Sequence, residues 1–263
     1  MAQERNWQST DVAQLGQDSL RALLKNEIPA IRIPRFATDS ECATLVMALD
    51  GANFKLSPLK ESTAYLGIAH SQYPWGCDFK EVTAAVAEAY ADQAYVFTRS
   101  FDPVVRIMET LSGLWNGRIE IASEEGIGRL FAGVIIDSTS GVDLHADFAR
   151  YVSTGYAIAN CDAQLAWNVY VEIPEAGGET IVYDRPWTPL PTDDRPGPAY
   201  DLSRASVTGA ECVTLRPRTG DVLLFNARNP HEVRCKNENG GRRRIAAGSF
   251  IGSLRNGLLV LWS

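Results

Sequence analysis

The chain has no apolar run approaching the roughly 18 residues that a membrane-spanning helix needs, so a transmembrane class is excluded. Its first twenty residues, MAQERNWQSTDVAQLGQDSL, lack both a basic leader and an apolar stretch, and the expected location is the cytoplasm. Positive charge is in deficit: the net charge is −7, and the one basic run, Arg242-Arg243-Arg244, is too short for a nucleic-acid-binding face. Cysteine pairs are missing as well. The five cysteines (Cys42, Cys77, Cys161, Cys212 and Cys235) are scattered and odd in number, which rules out a structural zinc knuckle or a redox dithiol and makes them, for the most part, buried thiols. No internal repeat occurs. Histidine is the scarcest chemically useful residue, with three copies in 263 positions.

What is present is the composition of an ordinary globular protein, 45% hydrophobic and 22% charged, enough for one sizeable core. The first hundred or so residues have helical texture. Asp11 to Asn26 spaces Val12, Leu15, Leu20, Leu23 and Leu24 as a helix behind a Ser9/Thr10 cap. A short strand, PAIRIPRF, follows, and Thr38-Asp39-Ser40-Glu41 opens a helix reaching Leu49. Tyr65 to Trp75 reads as an aromatic loop carrying His70, and Phe79 to Asn116 as two helices broken near Asp102-Pro103. From about Ile119 the pattern changes to eight short β-type runs: RLFAGVIID, VDLHAD, QLAWNVYVEI, ETIVYD, DVLLF, HEVRC, RRIAAGSFIG and LLVLW. Gly177-Gly178 and Thr219-Gly220-Asp221 mark turns, and the proline-rich Pro186 to Pro198 marks an exposed loop. The expected fold is mainly β with helical additions. Its core would be a double-stranded β-helix (jelly roll) over 119–263, buttressed by helices in 1–118, within a single domain 1–263.

Two of the three histidines sit where chemistry is expected. His145-Ala146-Asp147 ends a strand, and residues i and i+2 of an extended segment point to one side, so an imidazole and a carboxylate converge. His231 begins the strand HEVRC, which in a jelly roll faces the first across the barrel mouth. Two neutral imidazoles and a carboxylate on one face of an octahedron leave three positions open, a set suited to non-haem iron(II).

The surrounding order of HAD, WNVYVEIPEAGGETIVYD, PRTGDVLLFNARNPHEV and GGRRRIAAGSFIG resembles the iron(II)/2-oxoglutarate-dependent oxygenases of the prolyl-hydroxylase-like superfamily. Within it the chain looks most like stand-alone enzymes that hydroxylate or halogenate amino acids and small natural products. The resemblance implies His145, Asp147 and His231 as metal ligands and catalytic centre, with Fe(II), 2-oxoglutarate and O2 as cofactors. It also implies an arginine about ten residues after the distal histidine for the far carboxylate of 2-oxoglutarate. Alternation puts Arg242 and Arg244 on one face and Arg243 on the other. Arg244 is favoured, because Ala246 and Gly248 on its face leave room for a cosubstrate. Asn168 and Tyr170 share a strand face and either bind the cosubstrate carboxylates, the role assigned to Asn168, or are satisfied within the fold. His70 and Trp262 line the mouth or simply pack.

The implied activity is O2-dependent hydroxylation of an unactivated C–H bond in a small molecule, an amino acid or natural product, through a ferryl-oxo species. In the related halogenases a small residue replaces the carboxylate, making room for chloride, so Asp147 points to hydroxylation. The rival readings are a metal- or ligand-binding jelly roll without catalysis, and a hydroxylase of a protein or carrier-bound substrate.

Overall fold

A computed structural model describes residues 6–52, 54–56, 63–189, 202–234 and 241–263. Helices α1 (Gln17–Leu24), α2 (Asp39–Leu49), α3 (Phe79–Phe97) and α4 (Pro103–Ser112) lie in the first half, and the short α5 (Ala149–Val152) follows later. The main strands are β1 (Ala30–Ile33), β2 (Ala64–Leu66), β3 (Val134–Asp137), β4 (Val142–His145), β5 (Ala163–Glu172) and β6 (Thr180–Tyr183). They continue with β7 (Cys212–Leu215), β8 (Val222–Asn226), β9 (His231–Val233), β10 (Ile245–Ser253) and β11 (Leu259–Trp262). The mainly β expectation with helical additions therefore holds.

Two sheets contain these strands. The larger runs β1-β8-β5-β10-β3-β2, with β11 pairing further along β10, and the smaller runs β7-β6-β9-β4. Strand β5 is antiparallel to β10, with Asn168 opposite Gly248 and Tyr170 opposite Ala246. Because side chains alternate, each strand divides its residues between two faces. The face carrying Leu165, Trp167, Val169, Ile245, Ala247 and Ile251 is covered by Leu20, Leu23, Leu45, Val96, Ile107 and Leu111 of the helices, forming the main core. The opposite face of the same strands is left to look toward the small sheet. The helices thus seal one side, and the cavity opens on the other.

Several local readings are met. Helix α2 starts with a reciprocal cap: the Glu41 N–H donates to Thr38 Oγ1 at 3.1 Å, and the Thr38 N–H donates to Glu41 Oε2 at 2.8 Å. Helices α3 and α4 break at Asp102-Pro103, where Asp102 caps α4 through the Val104 N–H at 2.8 Å.

Others are corrected. The first helix covers Gln17–Leu24 only, because Ala13–Gln14 pairs in parallel with Ile31–Arg32 at the sheet edge, so tertiary pairing overrides the helical spacing. Part of Tyr65 to Trp75 is ordered, as β2 and a turn of 3-10 helix at His70–Gln72. A ninth run, Cys212–Leu215, is a strand at the edge of the small sheet; its exposed Cys212 and Thr214 left no apolar alternation to read. Cys42 and Cys161 are buried, but Cys77 is half-buried and Cys212 exposed. Cys235 and most of the proline-rich segment, 190–198, lie outside the described residues. No helix among the described residues is long and apolar enough to cross a membrane.

Arg106 ties α4 to the start of α2, its Nη2 lying 2.6 Å from Glu41 Oε1 and its Nη1 3.1 Å from Oε2. These hydrogen bonds from Arg106, together with those from Thr38, outweigh burial and hold the Glu41 carboxyl down at about 2, against 4.5 ordinarily. A depressed carboxyl stabilises the fold fully above its unfolded value, and that stability is lost as pH falls from about 4.5 to about 2. Glu41→Gln should remove on the order of 1 kcal/mol near neutrality. Thermal melts at pH 3 and pH 6 should show a smaller drop for the variant than for the wild type.

Candidate metal centre

His145 and His231 stand directly opposite each other in the β4–β9 ladder, which brings their ring centroids to 4.1 Å. Asp147, two residues beyond His145, lies on the same side: its Oδ2 is 3.6 Å from His145 Nε2 and 3.5 Å from His231 Nε2. One donor atom from each of the three falls within 4.8 Å of the others, a spacing that one metal ion can bridge.

Protonation is set by the backbone. His145 Nδ1 lies 2.7 Å from the Asp143 carbonyl oxygen, and His231 Nδ1 lies 2.9 Å from that of Asn229. A carbonyl only accepts, so both Nδ1 atoms carry the proton and donate, and each Nε2 is the ring atom turned toward Asp147. Burial, helped by the neighbouring His231, lowers His145 to about 4, so the ring is neutral at pH 7. Burial raises the Asp147 carboxyl, but the two imidazoles together outweigh it and the carboxyl titrates below its ordinary value. The Asp147 N–H also donates to the Ala227 carbonyl at 2.9 Å, which pins the loop. Two imidazoles and a carboxylate, with no thiolate, fit iron(II), manganese(II) or cobalt(II).

The three side chains line a cavity of about 290 Å³. Its opposite wall is the large sheet, contributing Asn168 and Tyr170 from β5 and Arg244, Ala246 and Gly248 from the run into and along β10. Gly248 is required there, since a Cβ would sit 2.2 Å from the Trp167 carbonyl oxygen and 2.7 Å from Asn168 Oδ1. Arg244 is 6% exposed. Its N–H groups donate to the Gly178 carbonyl at 2.9 Å, Ser138 Oγ at 2.6 Å and Thr180 Oγ1 at 3.0 Å, and its guanidinium lies 5.0 Å from the centre of the Tyr170 ring. Every one of these partners is neutral, and no carboxylate pairs with it among the described residues. Burial accordingly lowers its pKa, and Tyr170 partly opposes this. Gly178 adopts φ +78°, a left-handed turn that aims its carbonyl at the guanidinium.

The neighbouring arginines behave otherwise. Arg242 is exposed, and Arg243 turns to the other face, 3.2 Å from Glu172. Ser138 and Thr180 were not singled out from the sequence; the available signal was a hydroxyl residue at each end of the strands flanking Arg244. His70 is not part of the cavity wall. It is 2% exposed, burial drops it to about 4, and its Nε2 accepts the Phe131 N–H at 3.1 Å, a structural role. Trp262 does line the cavity and also packs against Phe250. Glu232, the neighbour of His231, points to the rear of the small sheet, where Arg204 and the Tyr183 hydroxyl hold its buried carboxylate.

A family model described as carrier-protein-independent halogenase WelO5 matches residues 5–263. The chain is 34% identical over 163 residues to the L-γ-glutamyl-L-propargylglycine hydroxylase of Streptantibioticus cattleyicolor, covering 62% of this chain and 59% of that protein. It is 33% identical over 153 residues to the leucinostatins biosynthesis cluster protein S of Purpureocillium lilacinum, covering 55% and 62%. The chain thus spans about three-fifths of the length of these curated relatives. Among solved structures, an N-substituted L-amino acid dioxygenase from Burkholderia ambifaria shares the fold, with a TM-score of 0.61 at 14% identity over 94% of this chain and 91% of that one.

If the three donors form one metal site, His145→Ala or His231→Ala should weaken cobalt(II) binding at least about 100-fold while leaving the near-ultraviolet circular dichroism unchanged. Calorimetric titration at pH 7 measures this, and wild-type affinity in either variant would dissolve the proposed set.

Proposed function

The chain belongs to the carrier-protein-independent halogenase WelO5 family, within the iron(II)/2-oxoglutarate oxygenases, and from that premise we propose that it hydroxylates an unactivated C–H bond in a small molecule. The observation that carries this reading is Arg244, a buried cation with only neutral partners among the described residues, facing the same cavity as the triad. A buried charge is costly unless compensated. A dicarboxylate that chelates the metal and extends across the cavity compensates it, and 2-oxoglutarate has that shape.

In this reading His145, Asp147 and His231 would hold iron(II) at the wall of the cavity they line. Bound iron(II) and 2-oxoglutarate supply the oxidising chemistry; the protein supplies position and exclusion of water. Arg244, with Ser138 and Thr180 beside it, receives the distal carboxylate. Asn168 contributes a polar side chain to the same wall and is assigned to the cosubstrate. Trp262, Phe250 and Phe225 give the cavity an aromatic lining, against which the substrate is oriented.

Although the family carries the name of a halogenase, Asp147 occupies the position that a small residue takes in halogenases, so hydroxylation is the assigned outcome. The two facing sheets are taken as the walls of a double-stranded β-helix, and residues 1–263 as one oxygenase domain whose first 118 residues buttress and cap the core. Tyr65, Ala69, Ser71 and Gln72 from that part line the cavity, which suits a small substrate better than a polymer. The amino-acid relatives favour an amino acid or related natural product.

The test is succinate formation from 2-oxoglutarate with iron(II), ascorbate and a panel of amino acids and small metabolites, with product mass read for a gain of one oxygen. Arg244→Ala should raise the KM for 2-oxoglutarate about 30-fold or more, corresponding to about 2 kcal/mol for a lost charge-assisted pair. Arg243→Ala should leave it unchanged. A 2-oxoglutarate KM indifferent to Arg244 would overturn its assignment.

A further inference from the structure

The imidazole of His231 is oriented by the carbonyl of Asn229, and what holds Asn229 comes from the far end of the chain. Helix α1 ends at Leu24 with Lys25 as its cap, and the next residue, Asn26, adopts φ +61°, the left-handed conformation that asparagine tolerates just past a helix end. That turn directs its side chain at Asn229. The two amides form a reciprocal pair: Asn229 Nδ2 donates to Asn26 Oδ1 at 2.7 Å, and Asn26 Nδ2 donates to Asn229 Oδ1 at 3.3 Å. The Trp7 indole N–H donates to the same Asn26 Oδ1 at 3.3 Å. Asn229 is fully buried, Trp7 1% exposed and Asn26 9% exposed.

The turn that this pair grips, Asn226 to Pro230, serves two ligands of the triad. Its Asn229 carbonyl takes the His231 Nδ1 proton at 2.9 Å, and its Ala227 carbonyl takes the Asp147 N–H at 2.9 Å. We propose that Asn26 and Asn229 are positioning residues of the metal centre, fixing the ring of His231 and the backbone of Asp147 through this turn. The inference rests on the reading of His231 and Asp147 as metal ligands. The physical warrant is that partners of a ligating histidine's second nitrogen set its tautomer and orientation, and their loss typically lowers metal affinity 10–100-fold. Two buried amides bound to each other also have a single satisfied arrangement, so the turn has one low-energy position.

The test is cobalt(II) binding to the whole chain, followed by calorimetry and by the visible d–d absorption, which reports ligand geometry independently of turnover. Asn26→Gly keeps the positive φ and removes only the amide. It should weaken cobalt(II) binding about 10–100-fold and shift the absorption bands. Leu20→Ala, a truncation in the core of the same helix that touches neither the turn nor the triad, controls for lost stability: it should lower Tm and leave affinity and spectrum as in the wild type. Should Asn26→Gly fail to fold, Asn26→Asp retains an acceptor for Asn229 and Trp7 and tolerates the backbone, but donates nothing to Asn229 Oδ1; a smaller change in the same direction is expected. Wild-type affinity and spectrum in the folded asparagine variant, or an equal change in Leu20→Ala, overturns the proposal. No cobalt(II) binding by the wild type would instead remove the metal centre itself, a failure distinguishable from the first.

Discussion

The antiparallel pairing of Ala163–Glu172 with Ile245–Ser253 is the constraint on which the other features depend. It sets Trp167 and Val169 with Ala247 toward the helices, and Asn168, Tyr170, Ala246 and Gly248 toward the small sheet. A slip of one residue would exchange the two sets, putting an indole into the cavity and an amide into the core. Gly248 supports that register from inside, because the ladder closes so tightly at this point that only a residue without a side chain fits between the Trp167 carbonyl and the Asn168 amide.

The cavity is electrostatically polarised along its length. At one end a carboxylate sits between two imidazoles, and at the other a guanidinium is held by a carbonyl and two hydroxyls. Among the described residues no carboxylate pairs with the guanidinium. A buried guanidinium with neutral partners is the feature that the proposed 2-oxoglutarate site rests on. The helices contribute little to this field directly. Their role is to cover the core face of the large sheet, while Ala69, Ser71 and Gln72 from the segment before α3 line the cavity.

Much of this was legible in the amino-acid order, for identifiable reasons. The triad could be read because histidine is scarce and because i, i+2 spacing in a strand has one geometric meaning. Arg244 could be chosen over its neighbours because alternation puts small residues on its face, and the structure has those residues on the cavity wall. The shortened first helix was hidden by a two-residue strand whose partner lies at Ile31–Arg32. Strand Cys212–Leu215 was hidden by its edge position, where exposed polar residues erase the period. The amide pair between Asn26 and Asn229 spans 203 residues of sequence and leaves no periodic trace. Residues that act on a site through another residue are invisible to pattern, since the pattern belongs to the residue they act on.

The main-chain tether of Asp147 to Ala227 separates two properties that are usually entangled. The loop is anchored by a peptide N–H common to every residue except proline, while the side chain is left to face His145 and His231. Any substitution here except proline therefore changes the group presented to the two histidines while keeping the main-chain bond that holds the loop.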